Sequence, residues 1–440
     1  MKISFKSILA AFLAGFFGFG TSVASAETLQ NAIGHLLKTN PDINAVSYNK
    51  QAREKEVIQA KSGYYPKIDF SYALGVNEQS HPYYDKSEPE SAVLSYRQNI
   101  FNFGTTTNEM YRQMNRVKSA AYKLQGTSEN VALDAASVYL NLLRRLELFC
   151  LAVENLTNHE RIYDQMKLRS ESGVDRTSDL DQVMGRLALA QSNVVIAKAN
   201  VVDAKTDYQS IIGYLPQEEL TMPDSLEKVI PITMEETVQL ALKDNPTLTS
   251  AKADLEARES QHAVAKSIAL PTLDIAADYK WEDEVERDGY EEEWTASAIV
   301  NVNLFNGMAD KARIDETQLL IYEALEILNS TQREVVQSVR LSWEARKAAI
   351  GKVAHLEEYV KAAGLTKDAF GKQWAIGRRT MFDVLDTEAE LINAKVSLVN
   401  AKYDQLISEY RILSGMGKLV HSVGLEWPED AGVTMAGNGK

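Results

Sequence analysis

The sequence is short of the residues that usually carry chemistry. It has one cysteine, Cys150, in 440 residues, so no intrachain disulfide can form. Its setting, Leu146-Glu147-Leu148-Phe149-Cys150-Leu151, predicts a small core residue rather than a reactive thiol. Six histidines stand at 35, 81, 159, 262, 355 and 421, with no metal-ligand spacing. There is no Walker phosphate loop: Leu419 follows Gly417-Lys418, and Ile412 stands where the first glycine belongs. No enzyme activity, metal or cofactor is expected. An excess of basic charge is also missing. With 47 Lys+Arg against 61 Asp+Glu, the net charge of −14 argues against nucleic-acid binding and serves solubility.

Two further absences shape the fold. Beyond the N-terminus no stretch reaches the ~18 consecutive apolar residues of a membrane-spanning helix. The N-terminus itself has Lys2 and Lys6, an apolar run over residues 8–19, and the small-residue end Ala24-Ser25-Ala26. That is a cleavable secretory leader over 1–26, leaving Glu27 first, with no cysteine after it to carry a lipid. Proline is absent from 90 to 215 and from 272 to 427. These intervals are rich in Ala, Leu, Glu, Gln and Lys and predict long helices. Residues 105 to about 170 alone would span ~100 Å at ~1.5 Å per residue. Such a helix must pack sideways against others along its length.

What is present is a duplication. Asn40-Pro41, Ala52-Arg53-Glu54, Ala60-Lys61-Ser62, Pro66 and Asp69 recur as Asn245-Pro246, Ala257-Arg258-Glu259, Ala265-Lys266-Ser267, Pro271 and Asp274, at a constant offset of 205. Further on, Phe101-Asn102 matches Phe305-Asn306, and Gly173 with Asp179 matches Gly377 with Asp383. Tyr208 with Gly213 matches Tyr410 with Gly415 after a small shift. The period is far too long for a solenoid, so a whole unit is duplicated. The expected organisation is a leader over 1–26, a first repeat over 27–232, a second over 233–415 and a C-terminal segment over 416–440. In each repeat the Asn-Pro pair is an N-cap followed by a first-turn proline. Those helices should end near Gly63 and Ile268.

Each half then carries two alternating segments, within 65–102 and 271–306. Ile68, Phe70, Tyr72, Leu74 and Val76 oppose Asp69, Ser71, Ala73, Gly75 and Asn77. Ala92, Leu94, Tyr96 and Ile100 oppose Ser91, Ser95, Arg97 and Asn99. In the second half Leu273, Ile275, Ala277, Tyr279 and Trp281 form one face, as do Trp294, Ala296, Ala298, Val300, Val302 and Leu304. The period is two, and the lengths approach the ~9–11 residues of a tilted membrane strand. Tyr72, Tyr279, Trp281 and Trp294 suit an interfacial girdle. The connections over 81–90 and 282–293 are polar, the second densely acidic, as surface loops are. Four strands cannot close a barrel, and lipid tolerates no open edge. Strands must be pooled between copies: two copies give a filled barrel, three a barrel wide enough for a lumen.

In these respects the chain resembles the TolC family of outer-membrane efflux and secretion proteins, over essentially the whole mature length. The most specific match is Gly377-Arg378-Arg379-Thr380-Met381-Phe382-Asp383-Val384-Leu385-Asp386, with Asn393-Ala394-Lys395 beyond it. The resemblance implies a mainly α, homotrimeric fold: a twelve-stranded transmembrane β-barrel, four strands per chain, continuous with a periplasmic α-helical barrel. Residues 215–232 and the tail after Gly415 fall in its mixed equatorial region. It further implies a passive duct in the outer membrane, working with a periplasmic membrane-fusion (adaptor) protein and an inner-membrane ABC transporter or other pump. Asp383 and Asp386 match the aspartates ringing the family's periplasmic constriction; being i and i+3, they can share a helix face. Arg379 matches a gate-tethering arginine, and Ser178 with Asp179 stands at the corresponding turn of the first half. Trp374 replaces a tyrosine and has an N–H donor but no acceptor. The tail Gly415-Met416-Gly417-Lys418-Leu419 with Gly424-Leu425 resembles members that serve type I protein secretion. Drug or small-molecule efflux is the alternative. A structural periplasmic coiled-coil or adaptor protein would explain the helices and the leader, but not four matched strands.

Overall fold

The structure, a computed structural model, describes residues 26–79, 85–173, 176–217, 219–283 and 290–432. The expected leader lies outside the described residues but for Ala26, as do residues 80–84 and 284–289 of the two polar connections. The chain makes two passes through one plan. In the first, α1 (Leu29–Thr39) and α2 (Pro41–Lys61) lead to β1 (Lys67–Leu74), β2 (Asn77–Gln79), β3 (Asp85–Ser87) and β4 (Glu90–Phe101). The long helices α3 (Thr105–Glu171) and α4 (Thr177–Ile212) follow. In the second, α5 (Met234–Asp244) and α6 (Pro246–Ile268) lead to β5 (Thr272–Asp283) and β6 (Tyr290–Asn301), then α7 (Ala309–Ala375) and α8 (Met381–Gly415). A short α9 (Leu419–Ser422) sits in the tail.

Local chemistry explains the boundaries. Asn40 accepts from the amides of Asp42 and Ile43, and Asn245 from that of Leu248, each with proline at the first helical position. The strand-to-helix reversals are duplicated too. Phe103 and Gly104 have φ of +51° and +85°, and Gly307 and Met308 have φ of +70° and +71°. Each reversal thus spends one glycine and one non-glycine residue in left-handed backbone, a conformation that costs the non-glycine partner free energy.

The strands form one antiparallel sheet in the order β1-β4-β5-β6. Register aligns the apolar sets of all four. Phe70 stands opposite Leu94, Leu94 opposite Tyr279, and Tyr279 opposite Trp294. Nothing among the described residues covers that face: Ile68, Phe70, Leu74, Trp294 and Val300 are each at least 65% exposed. β1 and β6 are open edges. Three details depart from the expected strands. A bulge between Asn99 and Phe101 takes Ile100 out of the alternation. β6 ends at Asn301, so Val302 and Leu304 belong to the turn toward Gly307. The polar connection of the first half contains the small hairpin β2–β3, and several acids of the second (Glu282, Asp283, Glu291, Glu292, Glu293) lie within β5 and β6.

Helices α3 and α7 are 67 residues each, and α4 and α8 are 36 and 35. At ~1.5 Å per residue the longest approach 100 Å. α3 turns back into α4, and α7 into α8, at Gly173 and Gly377, whose φ values are +70° and +75°. Among the described residues no helix is long and apolar enough to cross a membrane. Cys150 is exposed, not a core residue. Beyond Leu142 the helix α3 packs in narrow stripes, and the apolar run around the cysteine is wider than the stripe.

The main core lies where α1, α5, α9 and the crossover near 214–230 wrap the middle of the long helices. The crossover is largely irregular and α9 is a single turn, and buried carboxylates satisfy several of their amides. Glu27 accepts from the Tyr208 and Tyr214 hydroxyls and the Gln217 amide. Glu409 accepts from Ser225 and the Leu226 amide. Glu129, 2% exposed, accepts from the amides of Leu419 and Val420 and the Trp427 indole. Gly417 is needed beside it: its φ is +70°, and a Cβ there would lie 2.4 Å from the Pro246 ring.

Burial pushes the Glu129 carboxyl up to about 7 against those hydrogen bonds, which pull it down. A raised carboxyl holds its proton more tightly folded than unfolded. The stability it lends is full below 4.5, the unperturbed value, and is lost as pH rises through about 7. The protein should therefore lose on the order of 2–3 kcal/mol across that window, and Glu129→Gln should remove that part of the slope. Melts of both proteins from acid to neutral pH test this; equal slopes contradict it.

Candidate functional site

The far ends of the two helical hairpins, at 172–176 and 376–380, hold the residues singled out above. Thr380 caps α8: its hydroxyl accepts from the Asp383 amide, while the Asp383 carboxylate accepts from the Thr380 amide at 3.0 Å and hydroxyl at 2.8 Å. This is a capping box. It holds the Asp383 carboxyl below its ordinary range, with a smaller contribution from Arg379. Asp386, one turn on, does not share those partners. It accepts from Arg186 of α4 at 2.7 Å.

Arg379 stays within its own hairpin. Its Nε donates to Gln373 at 3.2 Å, its Nη1 stands 3.7 Å from Asp383, and its guanidinium lies 4.1 Å from the Phe370 ring centre. Ser178 donates to Asp179 at 3.3 Å, at the start of α4. Among the described residues no hydrogen bond or ion pair joins Arg379 to either within one chain. Trp374, where the family resemblance leads one to expect a tyrosine, makes a contact of another kind: the Arg169 guanidinium of α3 lies 5.3 Å from its ring centre. It bridges the two hairpins through its π face rather than through a hydroxyl.

A compact apolar cluster underlies these polar groups. Ile162 and Met166 of α3, Val183 of α4, and Met381, Val384 and Leu385 of α8 are buried together, with Phe370 and Trp374 packed against them. The start of α8 is thereby seated on the first hairpin. Sequence reasoning missed Arg169, Arg186, Asn158, Lys367 and Glu388, which also link the helices here. One of them left a signal. Glu388 interrupts the helical apolar series Met381, Leu385, Leu391, where a core-facing residue is expected.

The chain thus carries an uncovered sheet beside its strand-to-helix reversals and a packed cluster at its helix tips. No catalytic constellation accompanies them, and among the described residues no group of acids, histidines and cysteine is placed to hold a metal.

Comparison with known proteins agrees with this geometry. The family model described as "Outer membrane efflux protein" matches residues 32–214 and again 237–418. The chain is 24% identical to the outer membrane efflux protein BepC of Brucella suis, over 90% of this chain and 86% of that one. It is also 24% identical to outer membrane protein TolC of Escherichia coli, over 95% of this chain and 87% of that one. Among solved structures, the outer membrane protein VceC of Vibrio cholerae superposes with a TM-score of 0.79 at 15% identity, covering 89% of this chain and 96% of that one. The Campylobacter jejuni CmeC outer membrane channel superposes with a TM-score of 0.79 at 17% identity, covering 92% and 87%. The resemblance read from the signature around Gly377 is thereby borne out, and with it the mainly helical, barrel-forming fold. The chain belongs to the outer membrane efflux protein family and is an outer-membrane channel, not an enzyme.

Proposed function

We propose that three copies of this chain form the passive exit duct of a type I protein-secretion system, joined in the periplasm to an adaptor protein and an inner-membrane ABC transporter. The observation that carries the duct reading is the four-stranded sheet with one uncovered apolar face and two open edges, continuous with helices of 67 residues. Three copies supply twelve strands, close every edge and turn the apolar face to outer-membrane lipid. The repeats 27–232 and 233–415 build the wall, and the described tail, 416–432, completes the equator. The choice of protein cargo rests on the tail around Gly417 and on a relative named for it. The chain is 20% identical to the proteases secretion protein PrtF of Dickeya chrysanthemi over 84% of each chain. The second reading, small-molecule efflux, is favoured by the likeness to BepC. Deleting the gene separates them. Loss of an exported protein from the medium with unchanged drug sensitivity supports secretion; the reverse supports efflux.

The helix tips are the gate in this proposal. Because Arg379 and Asp179 do not meet within one chain, their tether runs between neighbouring copies, Arg379 of one reaching Ser178 and Asp179 of the next. Exposed ion pairs contribute only ~0–1 kcal/mol each, so a single loss opens the mouth in part. The pair Arg379→Ser with Asp179→Ala should raise conductance in planar bilayers clearly above wild type. Unchanged conductance removes both residues from the gate.

Asp383 and Asp386 of three copies place six carboxylates at the mouth. Each has an arginine nearby in this structure, so the field is smaller than six bare charges would give. Opening frees them to gather cations. Conduction should be cation-selective and blocked by trivalent cations added from the periplasmic side. Asp383→Ala with Asp386→Ala should abolish the block while the assembly stays folded. Block that survives the double substitution rules these residues out as the ring.

A further inference from the structure

One buried carboxylate near the mouth belongs neither to the constriction nor to the equator. Glu388 of α8 is 5% exposed. Its two oxygens have partners from two helices: Asn158 Nδ2 of α3 donates to Oε1 at 2.5 Å, and Lys367 Nζ of α7 stands 3.6 Å from Oε2. Lys367 belongs to the same hairpin as Glu388. Asn158 belongs to the other.

We propose that Glu388, held by Asn158 and Lys367, is the latch that keeps the α7–α8 hairpin against α3 and so sets how readily the mouth opens. This rests on the reading of the helix tips as a gate. Moving α8 away from α3 breaks the Asn158 bond to a carboxylate that is shielded from solvent in the packed state, where a hydrogen bond to a charged group is stronger than at the surface. The other ion pairs between the hairpins nearby each have one exposed partner, and Arg169 meets Trp374 only as a guanidinium over a ring. The Asp386 side chain of the Arg186 pair is 69% exposed, and the Glu154 side chain of the Lys395 pair is 49% exposed. Water and salt screen such pairs, and they resist separation weakly. The latch is therefore the polar link whose loss changes the closed state most.

The duplication supplies an internal control. At the offset that relates Gly173 to Gly377, Glu388 corresponds to Met184 and Asn158 to Ala362. Met184 is 51% exposed, and an alanine side chain has no hydrogen-bond donor. The duplicated scaffold is thus built without this bond, and the seam between α3 and α8 has acquired it. Leu385 and Leu391, one turn to either side of Glu388, are buried apolar residues. Packing alone asks for another apolar residue between them. A buried carboxylate matched by a half-buried amide specifies one register of the two helices, as single polar residues do in coiled-coil seams.

Single-channel recording of the full-length assembly in planar bilayers tests the latch. Asn158→Ala should raise the open-to-closed ratio about tenfold, the change that one hydrogen bond to a charged group supports. Asn158→Asp should raise it further, since it sets a second carboxylate against Glu388. Adding Glu388→Gln to Asn158→Asp reverses donor and acceptor, remakes the bond and should return the ratio toward wild type. A purely structural role predicts no such rescue. Resistance of the assembly to dissociation by heat, followed on gels, verifies that each variant is folded. If both Asn158 variants gate like wild type while Arg379→Ser with Asp179→Ala opens the channel, the latch is overturned and the gate reading stands. If wild type and every variant conduct alike, the gate reading falls, and the latch with it.

Discussion

An open sheet edge in lipid is the constraint on which this structure turns. A backbone amide or carbonyl without a partner in hydrocarbon costs several kcal/mol, so a spanning sheet must close on itself. Here β1 and β6 have one neighbour each, and the face carrying Phe70, Leu94, Tyr279 and Trp294 has no cover. A single chain cannot satisfy either demand. Everything below follows the strands: twelve pooled strands fix three copies, and three copies fix twelve long helices continuing the wall. Helices of 67 residues make sense only as staves of such a wall, since alone they bury narrow stripes.

Duplication gives that wall its regularity, and the departures from it mark where the two halves do different work. The Asn-Pro caps, the left-handed reversals before α3 and α7, and the glycine turns at Gly173 and Gly377 are held in common. The equator is not. There the first half contributes Glu27 and Glu129 and the second Glu409, each buried; Glu27 and Glu409 accept amides of the crossover, and Glu129 those at the start of α9. Three carboxylates thus do for the crossovers what ladders do for strands. Near the mouth, Glu388 takes the position that Met184 holds in the first repeat, so the α3–α8 seam carries a carboxylate where the first repeat has a thioether.

Much of the fold was legible because it obeys simple periods. Alternation over 68–77, 91–100, 273–281 and 294–304 located the four strands, running three residues past the ends of β1 and β6, and the proline-free intervals located the long helices. The register then aligned the apolar sets that the alternation had identified. What stayed hidden depends on three-dimensional neighbours. Cys150 sits in an apolar run, yet the helix presents it to solvent, and no local pattern states how wide a buried stripe will be. The bulge at Ile100 and the hairpin β2–β3 arise from pairing, not composition. At the tips, the signature located Asp383 and Arg379 but not their partners. Asp383 caps its own helix, Asp386 meets Arg186, and Trp374 meets Arg169, all set by how the two hairpins pack.

The central claim is that the chain is one third of a closed barrel. Native mass spectrometry of the full-length protein released from detergent micelles tests it most directly. The account requires a species of three chains that keeps its strand signal by circular dichroism and dissociates only on unfolding. A folded monomer or dimer with the same strand content would contradict it, because its sheet edges would remain open.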